Sequence, residues 1–202
     1  NASNNLKLRL REYSEVQEPS SALVTEPTVL PPPEPWLWLE LKQREGSITS
    51  KRRIRVARAN AACRFVRGRA VEALSRAQEQ GQEQRGIKAL LLQLKEADEP
   101  LEPSVLVSYR RQSFQADEGQ LRVTIDRDVA YHRLPASLTH WAKPLVRSAL
   151  GAAVGAEPRA VVEIKRRGSL PSWLDRVLLE VGAPAISFSK FVAANEAVHG
   201  AR

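Results

Sequence analysis

The sequence predicts an α+β fold built on antiparallel strands that are apolar on one face and cationic on the other. Three observations carry that expectation. Segments of strand length recur in which Leu, Val or Ile alternates with Lys or Arg, as in LKLRLREY and LELKQREGSITSKRRIRV. Other stretches place apolar residues at helical spacing. Lys and Arg number 31 against 23 Asp and Glu in 202 residues, a formal net charge of +8.

The first strand is Leu6 to Tyr13. Leu6, Leu8 and Leu10 share one face, and Lys7, Arg9 and Arg11 share the other, because the strand period is two. Glu15 to Pro35 follows, rich in Glu and Pro and without Lys or Arg; it reads as an extended connector. Trp36 to Val56 is a hairpin turning at Gly46 and Ser47. On its first arm Leu37, Leu39 and Leu41 oppose Glu40, Lys42 and Arg44. On its second arm Ile54 and Val56 oppose Lys51, Arg53 and Arg55.

Ala57 to about Gln80 reads as a helix, with Ala62, Phe65, Val66, Ala70 and Leu74 inward. Cys63 lies within it and reads as a small buried hydrophobe. A polar break at Gln78 to Gly86 precedes a second helix, Ile87 to Ala97, ended by Pro100 and Pro103. Ser104 to Phe114 is a strand with Val105, Val107, Tyr109 and Arg111 on one face. After a turn at Asp117, Glu118 and Gly119 comes Leu121 to Asp128. There Arg122, Thr124 and Asp126 oppose Val123 and Ile125, and Tyr131 to Arg133 continue the sheet with His132 exposed or partly packed. Leu138, Trp141 and Leu145 suggest a further helix, with Pro144 inside it. Ala160 to Arg166 is a strand with Val161, Glu163 and Lys165 on one face. Leu170 to Val181 is a helix opened by Pro171, closed by Gly182, with Trp173, Leu174, Val177 and Leu178 inward. Ser187 to Val198 reads as a last helix or a turn leading into one.

Composition narrows the function. The cation excess suits nucleic acid, phosphate-rich ligands or an anionic membrane surface. A single cysteine excludes an internal disulfide framework and fits a reducing, cytoplasmic setting. No apolar run approaches the roughly 20 residues of a bilayer span, and no signal peptide is visible. The chain opens on Asn1 and has no methionine, as expected of a piece of a longer protein. There is no G-x-x-x-x-G-K-[ST] loop, no zinc spacing and no Ser/His/Asp set. Aromatic residues near the charged strands are few, Trp36 and Trp38 being the close pair, which argues against nucleic acid.

The recurrence of cationic faces is the informative signal. A flat sheet would expose them to water; a sheet curled into a barrel with helices outside would aim them into a shared lumen. Crowding them there is costly unless something neutralises them. A phosphate chain with a divalent metal on Glu163, Glu40 or Asp126 would do so.

The ordered set LKLRLREY, LELKQREGSITSKRRIRV, SYRRQSFQADEGQLRVTIDRD, VVEIKRRGSLPSWL and SFSKF resembles the polyphosphate polymerase (VTC) domain of the CYTH, or triphosphate tunnel metalloenzyme, superfamily. The resemblance implies one domain over 1–202: an antiparallel β-barrel tunnel with a charged lumen and helices packed outside. It implies transfer of the ATP γ-phosphate onto inorganic polyphosphate, with Mn2+ or Mg2+. Arg9 and Arg11 match the R-x-R pair. Lys42, Lys51 and Arg53 match the next two strands, and Arg122 matches the R-V-T-x-D arginine. Glu163 with Lys165 matches E-x-K, Ser189 and Lys190 the closing S-K pair, and Arg111 the Y-x-R arginine. The expected catalytic residues are Lys190, Arg122 and Arg11. Substrate phosphates fall to these and to Lys7, Arg9, Lys42, Lys51, Arg53, Arg111, Lys165 and Ser189, and the metal to Glu163 and Glu40. The family domain opens with a further strand or two before R-x-R, so this chain is expected to lack them. Hydrolysis of a triphosphate in the same tunnel and non-catalytic polyphosphate binding are the alternative functions.

Overall fold

The computed structural model describes residues 5–13, 36–45, 48–57, 103–116, 120–134, 147 and 150–200. The helices expected over 57–80, 87–97 and around Trp141 lie outside the described residues. So do the whole of the 15–35 connector and the turns at 46–47 and 117–119. The chain divides into two compact units, Asn1–Pro103 with Ala136–Val146, and Ser104–Pro135 with Arg147–Arg202.

The first unit contains β1 (Asn5–Arg11), β2 (Trp36–Glu45) and β3 (Ile48–Ala57), an antiparallel sheet in the order β1-β2-β3. Leu10 faces Leu39, which faces Ile54; Leu37 faces Val56. Leu37, Leu39, Ile54 and Val56 are buried, so the apolar face expected from alternation is the core face. The same register stacks the polar rows: Arg9 opposite Glu40 opposite Arg53, and Lys7 opposite Lys42 opposite Lys51.

The second unit contains β4 (Leu106–Gln115), β5 (Leu121–His132), β6 (Gly155–Ala156), β7 (Val161–Arg166), α1 (Ser172–Glu180) and α2 (Lys190–His199). β5 is the central strand. It pairs antiparallel with β4 on one side and with β7 and β6 on the other. Two antiparallel sheets and two helices make the described residues α+β, and among them no closed barrel forms. Neither helix is long and apolar enough to cross a membrane.

A β-bulge in β5 decides what this sheet presents. Ser108 pairs with Ala130 and Arg110 with Arg127, so Tyr109 alone stands against Asp128 and Val129. Asp128 takes φ 52°, a left-handed conformation that Asp tolerates better than most residues. The extra residue shifts the alternation by one. Asp126 and Val129, which strict alternation puts on opposite faces, both lie on the side where α2 sits. Ala194 of α2 packs with Val129 and Tyr131, ringed by Val105, Val107, Tyr109 and Val161, while Lys190 of the same helix reaches Asp126.

Two expectations need correction. His132, expected to be exposed or partly packed, is buried, with Nε2 3.0 Å from Ser108 Oγ; Val129, Ala130 and Tyr131 are buried beside it, so both faces of β5 are covered past the bulge. Burial holds its pKa below the ordinary value, reinforced by the Arg147 charge and opposed by the backbone of Gly151 and Ala152. In α1 Leu174 is buried, but Trp173 is 58% exposed and Val177 is exposed too. α1 closes as expected at Gly182 (φ 60°). The Ala183 N–H donates to Leu178 O and the Gly182 N–H to Leu179 O, both at 3.0 Å.

α2 lies close over β6. A Cβ on Gly155 would come 3.1 Å from Ala197 Cβ and 3.3 Å from Tyr131 Cδ2. Gly155→Ala is expected to unseat α2 and to cost about 1–3 kcal/mol, the usual range for overpacking. Urea denaturation measures it, and an unchanged midpoint would contradict the packing.

Candidate functional site

In the first unit one buried carboxylate organises the cationic face. Glu40 is 3% exposed at the centre of the sheet. Arg11 Nε lies 2.8 Å from its Oε2; Lys51 Nζ and Arg53 Nε lie 3.0 and 3.5 Å from its Oε1. Register explains the convergence: Arg53 is directly opposite, and Arg11 and Lys51 are diagonal neighbours on the two flanking strands. Arg11 also donates from Nη1 to Tyr13 Oη at 3.3 Å. Trp38 lies on this same face. The Arg53 guanidinium carbon sits 3.6 Å and that of Arg55 4.8 Å from the centre of its ring, with Arg53 also 5.6 Å from Tyr13. Lys42 is exposed on the same face, in the Lys7–Lys42–Lys51 row.

The second unit repeats the arrangement around Asp126, which is fully buried. Arg111 grips it with both arms of its fork, Nε to Oδ1 at 2.6 Å and Nη2 to Oδ2 at 2.7 Å. Lys190, at the start of α2, places Nζ 2.7 Å from Oδ2. Tyr109 lies beneath both cations, 5.2 Å from Arg111 and 5.4 Å from Lys190, and Phe188 lies 5.6 Å from Lys190. Burial alone would raise the Asp126 pKa. Hydrogen bonds from Arg111 and Lys190 outweigh it and hold the carboxyl below the ordinary value. The same bond with Asp126 keeps Arg111 charged beyond the range of any ordinary pH, against the opposing effect of burial.

Around this pair the face continues through cross-strand rows. Ser113, Thr124 and Glu163 form one row; Gln115, Arg122 and Lys165 form the next. Arg122 Nε donates to Ser113 Oγ at 3.3 Å, and Lys165 Nζ lies 3.3 Å from Glu163 Oε1, both ends partly exposed. Glu163 also stabilises the Arg111 charge through space. Ser189 accepts from the Val192 N–H at 3.4 Å, so it caps α2 and fixes where Lys190 projects.

The expected site residues therefore fall in two groups. Lys7, Arg9, Arg11, Glu40, Lys42, Lys51 and Arg53 share one face of the first unit. Arg111, Arg122, Glu163, Lys165, Ser189 and Lys190 belong to the second. Glu40, expected to hold a metal, has three cations within 3.5 Å, and its geometry is that of a counter-ion. Asp126 is engaged in the same way. Among the described residues no three acidic, His or Cys side chains converge on a point. Trp38 and Tyr109 were legible only as strand residues; each keeps the parity of the charged residue two positions on, Glu40 and Arg111, and that parity is the signal that places them on the charged faces.

The sequence profile of the VTC domain matches residues 2–199. No curated protein matches the chain.

Asp126→Asn leaves the partly buried Arg111 and Lys190 without their counter-charge. It is expected to lower stability at neutral pH by about 3–5 kcal/mol, the usual cost of breaking a buried pair. Because the folded-state pKa of Asp126 is depressed, its contribution is complete above the unfolded value of about 3.9 and is lost as pH falls below it. The gap between wild type and variant in urea denaturation should narrow on acidification below about pH 4. A gap that stays constant to low pH would contradict the assignment.

Proposed function

The chain belongs to the VTC-domain family, and on that premise we propose that it is a polyphosphate polymerase-type phosphoryl transferase. It moves the γ-phosphate of ATP onto the end of a polyphosphate chain in a basic tunnel, with Mn2+ or Mg2+. The observation that carries the proposal is the charge imbalance around each buried carboxylate. Glu40 holds Arg11, Lys51 and Arg53 in place, while Lys42 and Arg55 on the same face add further positive charge. Asp126 holds Arg111 and Lys190, with Arg122 and Lys165 beside them. Such faces are fixed in shape and under-neutralised, which suits a ligand of repeating negative charge.

In the reaction a terminal oxygen of the polyphosphate attacks the γ-phosphorus. The bond from that phosphorus to the β–γ bridging oxygen breaks, and ADP leaves with the bond's electron pair. The attacking oxygen is already anionic, so no base is required. Within the second unit Arg122 spreads the charge of the transferring group and Lys190 clamps it, and within the first unit Arg11 binds phosphate. Lys7, Arg9, Lys42, Lys51, Arg53, Arg111 and Lys165 hold the flanking phosphates. Glu163 is the carboxylate that fits a metal. It is half-exposed, it has one weak partner in Lys165, and it stands opposite Thr124 in the strand register, whose buried hydroxyl has no partner. Mg2+-type sites commonly rest on one or two carboxylates with substrate phosphates completing the shell. A divalent ion there supplies Lewis-acid neutralisation of phosphate charge.

The test is incubation with ATP and Mn2+, followed by a gel for polyphosphate. Wild type should produce a ladder, and Lys190→Ala and Arg122→Ala should each reduce it about 10²-fold, the effect of losing one charge-stabilising donor. Free phosphate without chains would identify a triphosphatase instead. Tight polyphosphate binding without turnover would identify a binding module. Equal product from all three proteins would remove the site assignment.

A further inference from the structure

Thr124 is 4% exposed, and its Oγ1 is fully buried without a hydrogen-bond partner. A buried hydroxyl left unpaired is unfavourable, and such groups in native structures are uncommon. Its position is informative. In the register Thr124 stands directly opposite Glu163, with Ser113 on its other side and Asp126 two residues along. Residues opposite one another in such a pair have Cβ atoms about 4.5–5.5 Å apart, within the reach of a Glu side chain. Glu163 at present faces Lys165 Nζ at 3.3 Å, a loose and exposed pairing. Ser113 Oγ is engaged by Arg122, and Asp126 by Arg111 and Lys190. Of the polar groups around Thr124, the Glu163 carboxylate is the one least committed elsewhere.

We propose that Thr124 is a positioning residue for Glu163: its hydroxyl donates to the Glu163 carboxylate when that carboxylate leaves Lys165 for a divalent cation. The inference rests on the reading of Glu163 as the metal carboxylate and adds the group that orients it. Carboxylates that hold metals are themselves hydrogen-bonded, and the outer partner sets which oxygen faces the ion. A bond to the carboxylate gives the buried hydroxyl the partner it otherwise lacks.

The experiment measures Mn2+ affinity by the electron paramagnetic resonance signal of free Mn2+, with tripolyphosphate present, for wild type, Thr124→Val, Thr124→Ser and Glu163→Gln. Thr124→Val keeps the shape and removes the hydroxyl. It should bind Mn2+ about 10- to 100-fold more weakly, while its melting temperature without metal stays equal to or above that of wild type. Thr124→Ser restores the donor and should bind within a few-fold of wild type. If Thr124→Val does not fold, Thr124→Ala takes its place. Wild-type affinity in Thr124→Val beside weakened binding in Glu163→Gln would overturn the role of Thr124 alone. Equal loss in the Val and Ser variants would overturn it too, by making the effect one of packing. Wild-type affinity in Glu163→Gln would overturn the metal reading beneath it.

Discussion

A carboxylate buried among cations is the constraint on which both units depend. Removing a charge from water is costly, and only close, well-oriented partners offset it. Two opposite charges about 4 Å apart interact by about 4 kcal/mol at an effective dielectric near 20; the two cations around Asp126 hold that carboxyl below its ordinary pKa, and three cations gather around Glu40. The reverse also holds. Without those carboxylates the arginines and lysines would repel one another and splay into water. Each unit keeps just enough negative charge to order its cations and not enough to neutralise them.

Aromatic rings complete the arrangement. Trp38 lies against Arg53 and Arg55, and Tyr109 lies beneath Arg111 and Lys190. A flat ring limits the rotamers of a long cationic side chain without cancelling its charge. In the second unit the backbone contributes as well. The bulge at Asp128 brings Asp126 and the apolar Val129 to the same side, so one helix can seal a core with Ala194 and deliver Lys190 to the carboxylate. Ser189 caps that helix and sets the starting point of Lys190.

Much of this was legible in the sequence, for a physical reason. A strand with one buried face must alternate, so LKLRLREY and LELKQRE announced both their conformation and which side carried charge. The buried Leu37, Leu39, Ile54 and Val56 agree with that reading. Alternation fails where the period breaks. One inserted residue at Asp128 reverses every side chain after it, and nothing in the composition of TIDRDVAYH marks the spot. His132, read as exposed or partly packed because it stands alone, is buried, since residue type does not carry depth. Periodicity is also blind to depth and to partner. Glu40 reads as a metal ligand from its place beside cations, yet those cations occupy it. Trp173 and Leu174 read alike as inward, and only Leu174 is buried. The unpaired Thr124 hydroxyl depends on what lies across two strands, which a single strand's pattern does not contain.

Net charge and ordered charge make opposite claims about these faces, and one measurement separates them. Calorimetric titration of tripolyphosphate into wild type, Glu40→Gln and Asp126→Asn, at about 0.1 M salt where surface charges are partly screened, compares them under conditions in which circular dichroism shows each variant folded. Both substitutions make the protein more positive. If the buried carboxylates order the cations for a phosphate chain, both variants bind more weakly than wild type. Tighter or unchanged binding would contradict the account.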